Sequence, residues 1–347
     1  MERPTPLLHR IGEAGATLGS RPPRRRAVRV AVQAVLALLI FGFLVLTVAR
    51  QWDELQEEGV RFTLIWLLPA FAVLLLFYVM SALGWDLLLR FLGNRLNPVR
   101  AQVAWGQPML ARYVPGSVLY VLARLVLSER AGVPRRLTLA SIVYEQALSA
   151  AAATGIASYF LISHPDLQGE PWRWAVLLVV PVAIAVLHPR VFGPLANRLL
   201  EAFGRDPLPA TIPLRGILVM LGYYAASWAV CGVGVFFVAR SVFDVSFSEI
   251  ATVGSAQSFG YVAALVTLVA PAGLGVRDTA FAWAVKAALP SQSFAIGATI
   301  AIAVRLTLTL TELCYVGIVT LIGRHEEKGG MRWSEPATSE ARPAANA

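Results

Sequence analysis

Of the 347 residues, 57% are hydrophobic and only 15% charged, against about 25% charged in a soluble domain, so a chain wrapped wholly in water is excluded. The +9 net charge falls in short stretches between long apolar runs, which points to the loops of a membrane protein and away from a nucleic-acid-binding surface. Cys231 and Cys314 sit inside apolar stretches without a C-x-x-C, and His9, His164, His188 and His325 are scattered, so no metal and no cofactor is expected.

Residues 1–27 are polar, with Arg24, Arg25 and Arg26 at their end. They are expected to form a disordered basic arm on the cytoplasmic side, drawn to anionic headgroups. Val28 to Ala49 is the first expected span, too long for the apolar core of a secretory signal. Asp53, Glu54, Glu57 and Glu58 mark an outside loop, and Leu64 to Leu89 returns inward, closing on Asp86 and Arg90. The apolar stretch from Ala101 to Leu127 is broken by Pro108, Arg112, Pro115 and Gly116. Basic residues flank it on both sides (Arg95 and Arg100 before, Arg130, Arg135 and Arg136 after). A re-entrant hairpin of two half-helices meeting near Pro115 and Gly116 satisfies that parity. Such backbone is tolerated at membrane depth only where protein buries it or a cavity lies beside it.

Leu137 to Ile162 goes outward to a short acidic loop with Asp166 and Glu170, and Trp172 and Trp174 form an interface belt. Trp174 to Leu187 comes back as a short span. The stretch from His188 to Arg215 is basic and cytoplasmic, with an interfacial amphipathic helix at Asn197 to Phe203. Gly216 to Ala239 goes outward again. Ile250 to Leu289, interrupted around Pro271 to Asp278, is either a second re-entrant pair or two ordinary spans. Phe294 to Ile322 ends in Arg324, Lys328 and Arg332, and the tail 323–347 is polar and expected to be disordered. The expectation is thus an all-α, polytopic membrane protein of the plasma membrane with both termini cytoplasmic. Its membrane domain, 28–322, holds about six full transmembrane helices and two broken-helix hairpins, about eight membrane segments. Hairpins inserted from opposite sides are what an inverted repeat produces. Val114-Pro-Gly against Ala270-Pro-Ala-Gly is the slight internal similarity behind that idea.

An ionisable group at mid-bilayer costs roughly 2.5–3.5 kcal/mol on insertion scales, so each one needs a reason. Arg112 precedes the first break and Arg124 follows it. Arg277 and Asp278 sit at the second break, beside Gly273 and Gly275. Arg305, Thr309 and Glu312 share a face of the last span, and Ser141, Glu145 and Ser149 form an i±4 polar stripe on the span from Leu137. One reading is a groove for a charged headgroup. Guanidinium groups grip phosphate in two-pronged fashion, and helix N-termini beside Pro115-Gly116 and Gly273-Leu-Gly275 would add N–H donors. The other is mutual pairing that locks helices together, Arg305 with Glu312 or Arg277 with Glu145. The spread of the set over four segments favours the groove. Gly273 and Gly275 lack the Lys-Ser/Thr of a phosphate loop, and no G-x-S-x-G or H-E-x-x-H occurs.

At these breaks the chain resembles the lysylphosphatidylglycerol synthase transmembrane-region family, also described as flippase-like. The likeness rests on Arg112, Tyr113, Val114, Pro115, Gly116 and Arg124, then Glu129 to Val133, Ala140, Ser141 and Glu145, and finally Pro271 to Asp278. It spans roughly residues 30–322. The resemblance implies paired re-entrant helices and movement of an aminoacylated or otherwise modified phospholipid between leaflets. Its implied partners are membrane lipids, anionic or aminoacylated. The chain departs from the family pattern at Leu119-Tyr120, where Gly-Glu is frequent, at Gln146, where Arg is frequent, and at Asp278, where Glu is frequent. These differences bear on which lipid is bound. No soluble aminoacyl-transferase domain follows the last span, so the expectation is a lipid translocase and not an enzyme. The competing readings are a membrane-embedded transferase on a lipid-linked substrate and an accessory partner of an envelope-biosynthesis enzyme. The transferase would need a metal-binding carboxylate pair, for which only Asp86 and Glu129 offer themselves.

Overall fold

A computed structural model describes residues 63–113, 118–163, 172–202, 207–208, 211–267, 276–289 and 294–328. The basic arm, the expected span from Val28 to Ala49, Pro115, Gly116, Gly273, Gly275 and the tail from residue 329 lie outside the described residues. Every described element is helical.

A 3-10 turn, Leu64–Trp66, leads into α1, Leu67–Phe91. α2 is Pro98–Gly106 and runs on as a 3-10 segment, Gln107–Tyr113. α3 is Val118–Arg130 and α4 is Arg135–Ser163. A helical turn, Trp172–Ala175, and a 3-10 turn, Val176–Leu178, precede α5, Val179–Leu187. Then come α6, Pro189–Ala202, and α7, Leu214–Val242. After a 3-10 turn, Phe247–Glu249, follow α8, Ile250–Thr267, α9, Val276–Ala288, and α10, Phe294–Lys328.

Local chemistry sets several of these boundaries. α1 ends at Gly93, whose φ of 82° no branched side chain adopts cheaply. There the Asn94 N–H reaches back to the Leu89 carbonyl and the Gly93 N–H to that of Arg90, the paired closure of a Schellman motif. α3 ends the same way at Gly132, with Val133 donating to Ser128 and Gly132 to Glu129. α2 opens with Pro98 at its first turn and the Asn97 side chain accepting from the Val99 N–H at 2.9 Å.

Four described helices are long and apolar enough to cross a bilayer: Leu64–Phe91, Arg135–Ser163, Leu214–Val242 and Ile296–His325. These match four of the six full spans read from the sequence. The short span expected at Trp174 to Leu187 differs. It bends by 63° into the next helix, and the two together make one candidate crossing at most. The amphipathic helix expected to begin at Asn197 is α6, and it begins eight residues earlier, at Pro189. Proline explains both differences. The residue before it is pushed out of helical backbone, and His188 has φ −56° and ψ 136°.

The expected interrupted segments are pairs of packed helices. α2 with its 3-10 extension packs on α3, and α8 packs on α9. Small residues bring the main chains together. A Cβ on Gly232 of α7 would stand 2.9 Å from the Gly254 Cα of α8, and one on Gly260 would stand 2.8 Å from the Arg277 carbonyl oxygen. Such close approach is the usual means of helix association in lipid, where apolar burial alone drives little. The buried core runs between α1, α4, α7 and α10 and includes Trp85, Tyr144, Phe160, Phe236 and Tyr315. Leu68, Leu178, Val182, Leu218 and Leu321 face outward, as on a surface solvated by acyl chains.

Candidate functional site

Inside the bundle, eight of the described helices converge on a cavity of about 470 Å³. The first hairpin contributes Trp105, Met109, Arg112 and Tyr120, and the second contributes Tyr261, Leu265 and Arg277. α1 supplies Phe77, Tyr78 and Ser81, α4 supplies Glu145, Gln146 and Ser149, and α7 supplies Tyr224, Ser227, Trp228 and Cys231. Arg305, Leu308, Thr309 and Glu312 of α10 close the ring. The wall is therefore aromatic and hydroxyl-bearing, with charges set into it at chosen points.

The polar stripe on α4 is the spine of the site. Ser141, Glu145 and Ser149 each accept a hydrogen bond from an indole N–H, and each indole comes from a different helix. Trp85 of α1 reaches Ser141 at 2.9 Å, Trp105 of α2 reaches Glu145 at 2.7 Å, and Trp228 of α7 reaches Ser149 at 3.0 Å. Indole has one donor and a large apolar body, so it joins helices through an apolar interior without leaving a polar atom unmatched.

Behind this wall the Arg124 side chain is wholly buried. It forms an ion pair with the second Glu145 oxygen, donates a hydrogen bond to the Tyr120 hydroxyl at 3.1 Å, and lies over the Trp85 ring at 5.0 Å. Arg112, whose side chain is 42% exposed, pairs with the buried Glu312 and so ties the first hairpin to α10. Arg305 faces Asp278 at 3.9 Å, which ties the second hairpin to the same helix. Arg277 lines the cavity with no carboxylate within ion-pair distance among the described residues.

Seven of the eleven residues singled out in the sequence fall among the described residues, and they gather here; Pro115 and Gly116, which come between α2 and α3 in sequence, and Gly273 and Gly275, which come between α8 and α9, lie outside the described residues. The partners differ from those expected. Arg305 meets Asp278 and not Glu312, and Glu145 holds Arg124 and not Arg277. Arg305 and Glu312 do share the cavity face, but each is nearer a charge brought in by a neighbouring helix than to the other two turns away. Of the carboxylates considered for a metal pair, Asp86 binds Arg90 at 2.6 Å and Glu129 binds Arg135 at 2.8 Å. Sequence reasoning missed the three tryptophans and the α7 wall. A signal was there, since Tyr224, Ser227, Trp228 and Cys231 recur at helical spacing along one face.

An all-α bundle with several bilayer-length helices and an arginine-bearing internal cavity is a multi-pass integral membrane protein. Residues 30–313 match the family described as the lysylphosphatidylglycerol synthase TM region, and the chain belongs to that family, whose setting is membrane phospholipid. No curated protein matches the chain. No solved structure matches it either.

Proposed function

We propose that this protein binds the headgroup of a phospholipid or lipid-linked substrate in the central cavity and passes it between leaflets of the plasma membrane. The supporting observation is that Arg112 and Tyr120 from one interrupted hairpin and Tyr261 and Arg277 from the other face a single cavity. Charge at membrane depth is retained where a substrate path needs it, and interrupted helices at such a path are a recurrent transporter device. The cavity supplies a polar interior for a headgroup, while the apolar exterior leaves acyl chains in the bilayer. In this reading no covalent chemistry is performed, and both termini face the cytoplasm.

The test is lipid movement in liposomes carrying the full-length chain. Tail-labelled anionic, aminoacylated, zwitterionic and polyprenyl-phosphate lipids are offered, and their loss from the outer leaflet is followed by quenching with an impermeant reductant. At least one class is expected to move faster than in protein-free liposomes, and Arg277→Gln to slow it about tenfold. No acceleration for any class would refute translocation.

A further inference from the structure

The polar groups of this cavity are unequally occupied. Both Glu145 oxygens are engaged, one by the Trp105 indole and the other by Arg124. Glu312 is held by Arg112, and Asp278 faces Arg305. Among the described residues, a ligand ammonium therefore meets only carboxylates that already have an arginine beside them. The opposite holds on the α7 wall. Tyr224 is 3% exposed and Ser227 1%, both line the cavity, and neither hydroxyl has a hydrogen-bond partner among the described residues. Buried hydroxyls left without partners are costly, and native structures rarely keep them without a reason. Aromatic faces stand beside them, with the Trp228 and Tyr261 rings 4.6 Å apart and Phe77 6.0 Å from Trp228. Arg277 lines the same cavity with no carboxylate within ion-pair distance among the described residues, which leaves it for an anion.

From this asymmetry we propose that the preferred headgroup is an uncharged polyol carried on a phosphate, of the inositol or sugar class, and not an aminoacyl group. Polyol hydroxyls both donate and accept, so they satisfy Tyr224 and Ser227 together. The flat apolar face of a ring lies against the aromatic side chains, and the phosphate meets Arg277. The inference rests on the lipid-binding reading above and narrows it.

Isothermal titration calorimetry on the full-length protein in detergent tests it with four probes. These are dioctanoyl phosphatidylinositol, dioctanoyl phosphatidic acid, dioctanoyl lysyl-phosphatidylglycerol, and glycerophosphoinositol, the inositol headgroup without acyl chains. Phosphatidylinositol is expected to bind about tenfold more tightly than each of the other three. Tyr224→Phe and Ser227→Ala should each shrink its advantage over phosphatidic acid several-fold. Thermal unfolding of each variant checks that it remains folded. Lysyl-phosphatidylglycerol binding tightest, or an advantage untouched in both folded variants, overturns the polyol assignment and leaves lipid binding standing. Equal binding of glycerophosphoinositol overturns the lipid as its source. If none of the four binds, the lipid-binding reading falls with it.

Discussion

Arg124 and Glu145 stand 21 residues apart in the chain and form an ion pair whose guanidinium has no exposure to solvent. Two charges removed from water stabilise a fold only while each has the other. Arg124→Met alone or Glu145→Leu alone should therefore destabilise the protein by about 3–5 kcal/mol, and the double variant should regain much of that loss. Thermal unfolding of the three variants in detergent gives the comparison. Additive losses would mean that the pair is not a unit.

The indole ladder on α4 predicts a ranking. Trp105 donates to a carboxylate, while Trp85 and Trp228 donate to serine hydroxyls. A hydrogen bond to a charged group contributes about 1.5–3 kcal/mol and a neutral one about 0.5–1.5 kcal/mol. With aromatic bulk kept, Trp105→Phe should cost the most stability of the three Trp→Phe variants. Denaturation midpoints would show a different order if packing, and not the N–H, decides.

α7 and α8 touch backbone to backbone where Gly232 meets Gly254. Gly232→Val forces the helices apart and should cost about 1–3 kcal/mol. Gly222 lies on the same helix with nothing within 4 Å of an added Cβ, so Gly222→Ala should be nearly neutral. Equal effects at the two sites would contradict the close crossing.

Arg112 and Glu312 join the first hairpin to α10 beside the cavity. Reversing one charge sets like against like, and Arg112→Glu or Glu312→Arg should cut lipid movement in liposomes about tenfold or more. The exchange of both residues should restore part of the rate. Failure of the exchange to rescue any activity would show that position and not pairing matters.

Membrane class was legible from composition and from the length of the apolar runs, because the bilayer imposes a length on every span regardless of its neighbours. The segments that fold as the packed pairs α2–α3 and α8–α9 were legible for the same reason, since the proline, glycine and charge that mark them are costly at membrane depth wherever they occur. Turn chemistry was partly missed. The end of the short span at Leu187 was read from the sequence, but the basic composition of the stretch after it obscured the helix that resumes at Pro189, where proline suits a first turn.

What the sequence by itself determined was which residues had to be explained: Arg112, Arg124, Glu145, Arg277, Asp278, Arg305 and Glu312, each too costly to stand in lipid alone. Which charge answers which was decided only by tertiary structure. Helical spacing brings Arg305 and Glu312 to one face, but packing sets Asp278 and Arg112 beside them from two other segments. A residue's own helix fixes the direction in which it points. Its partners depend on crossing geometry, set here by glycines such as Gly232 and Gly254 and by indoles reaching across to α4.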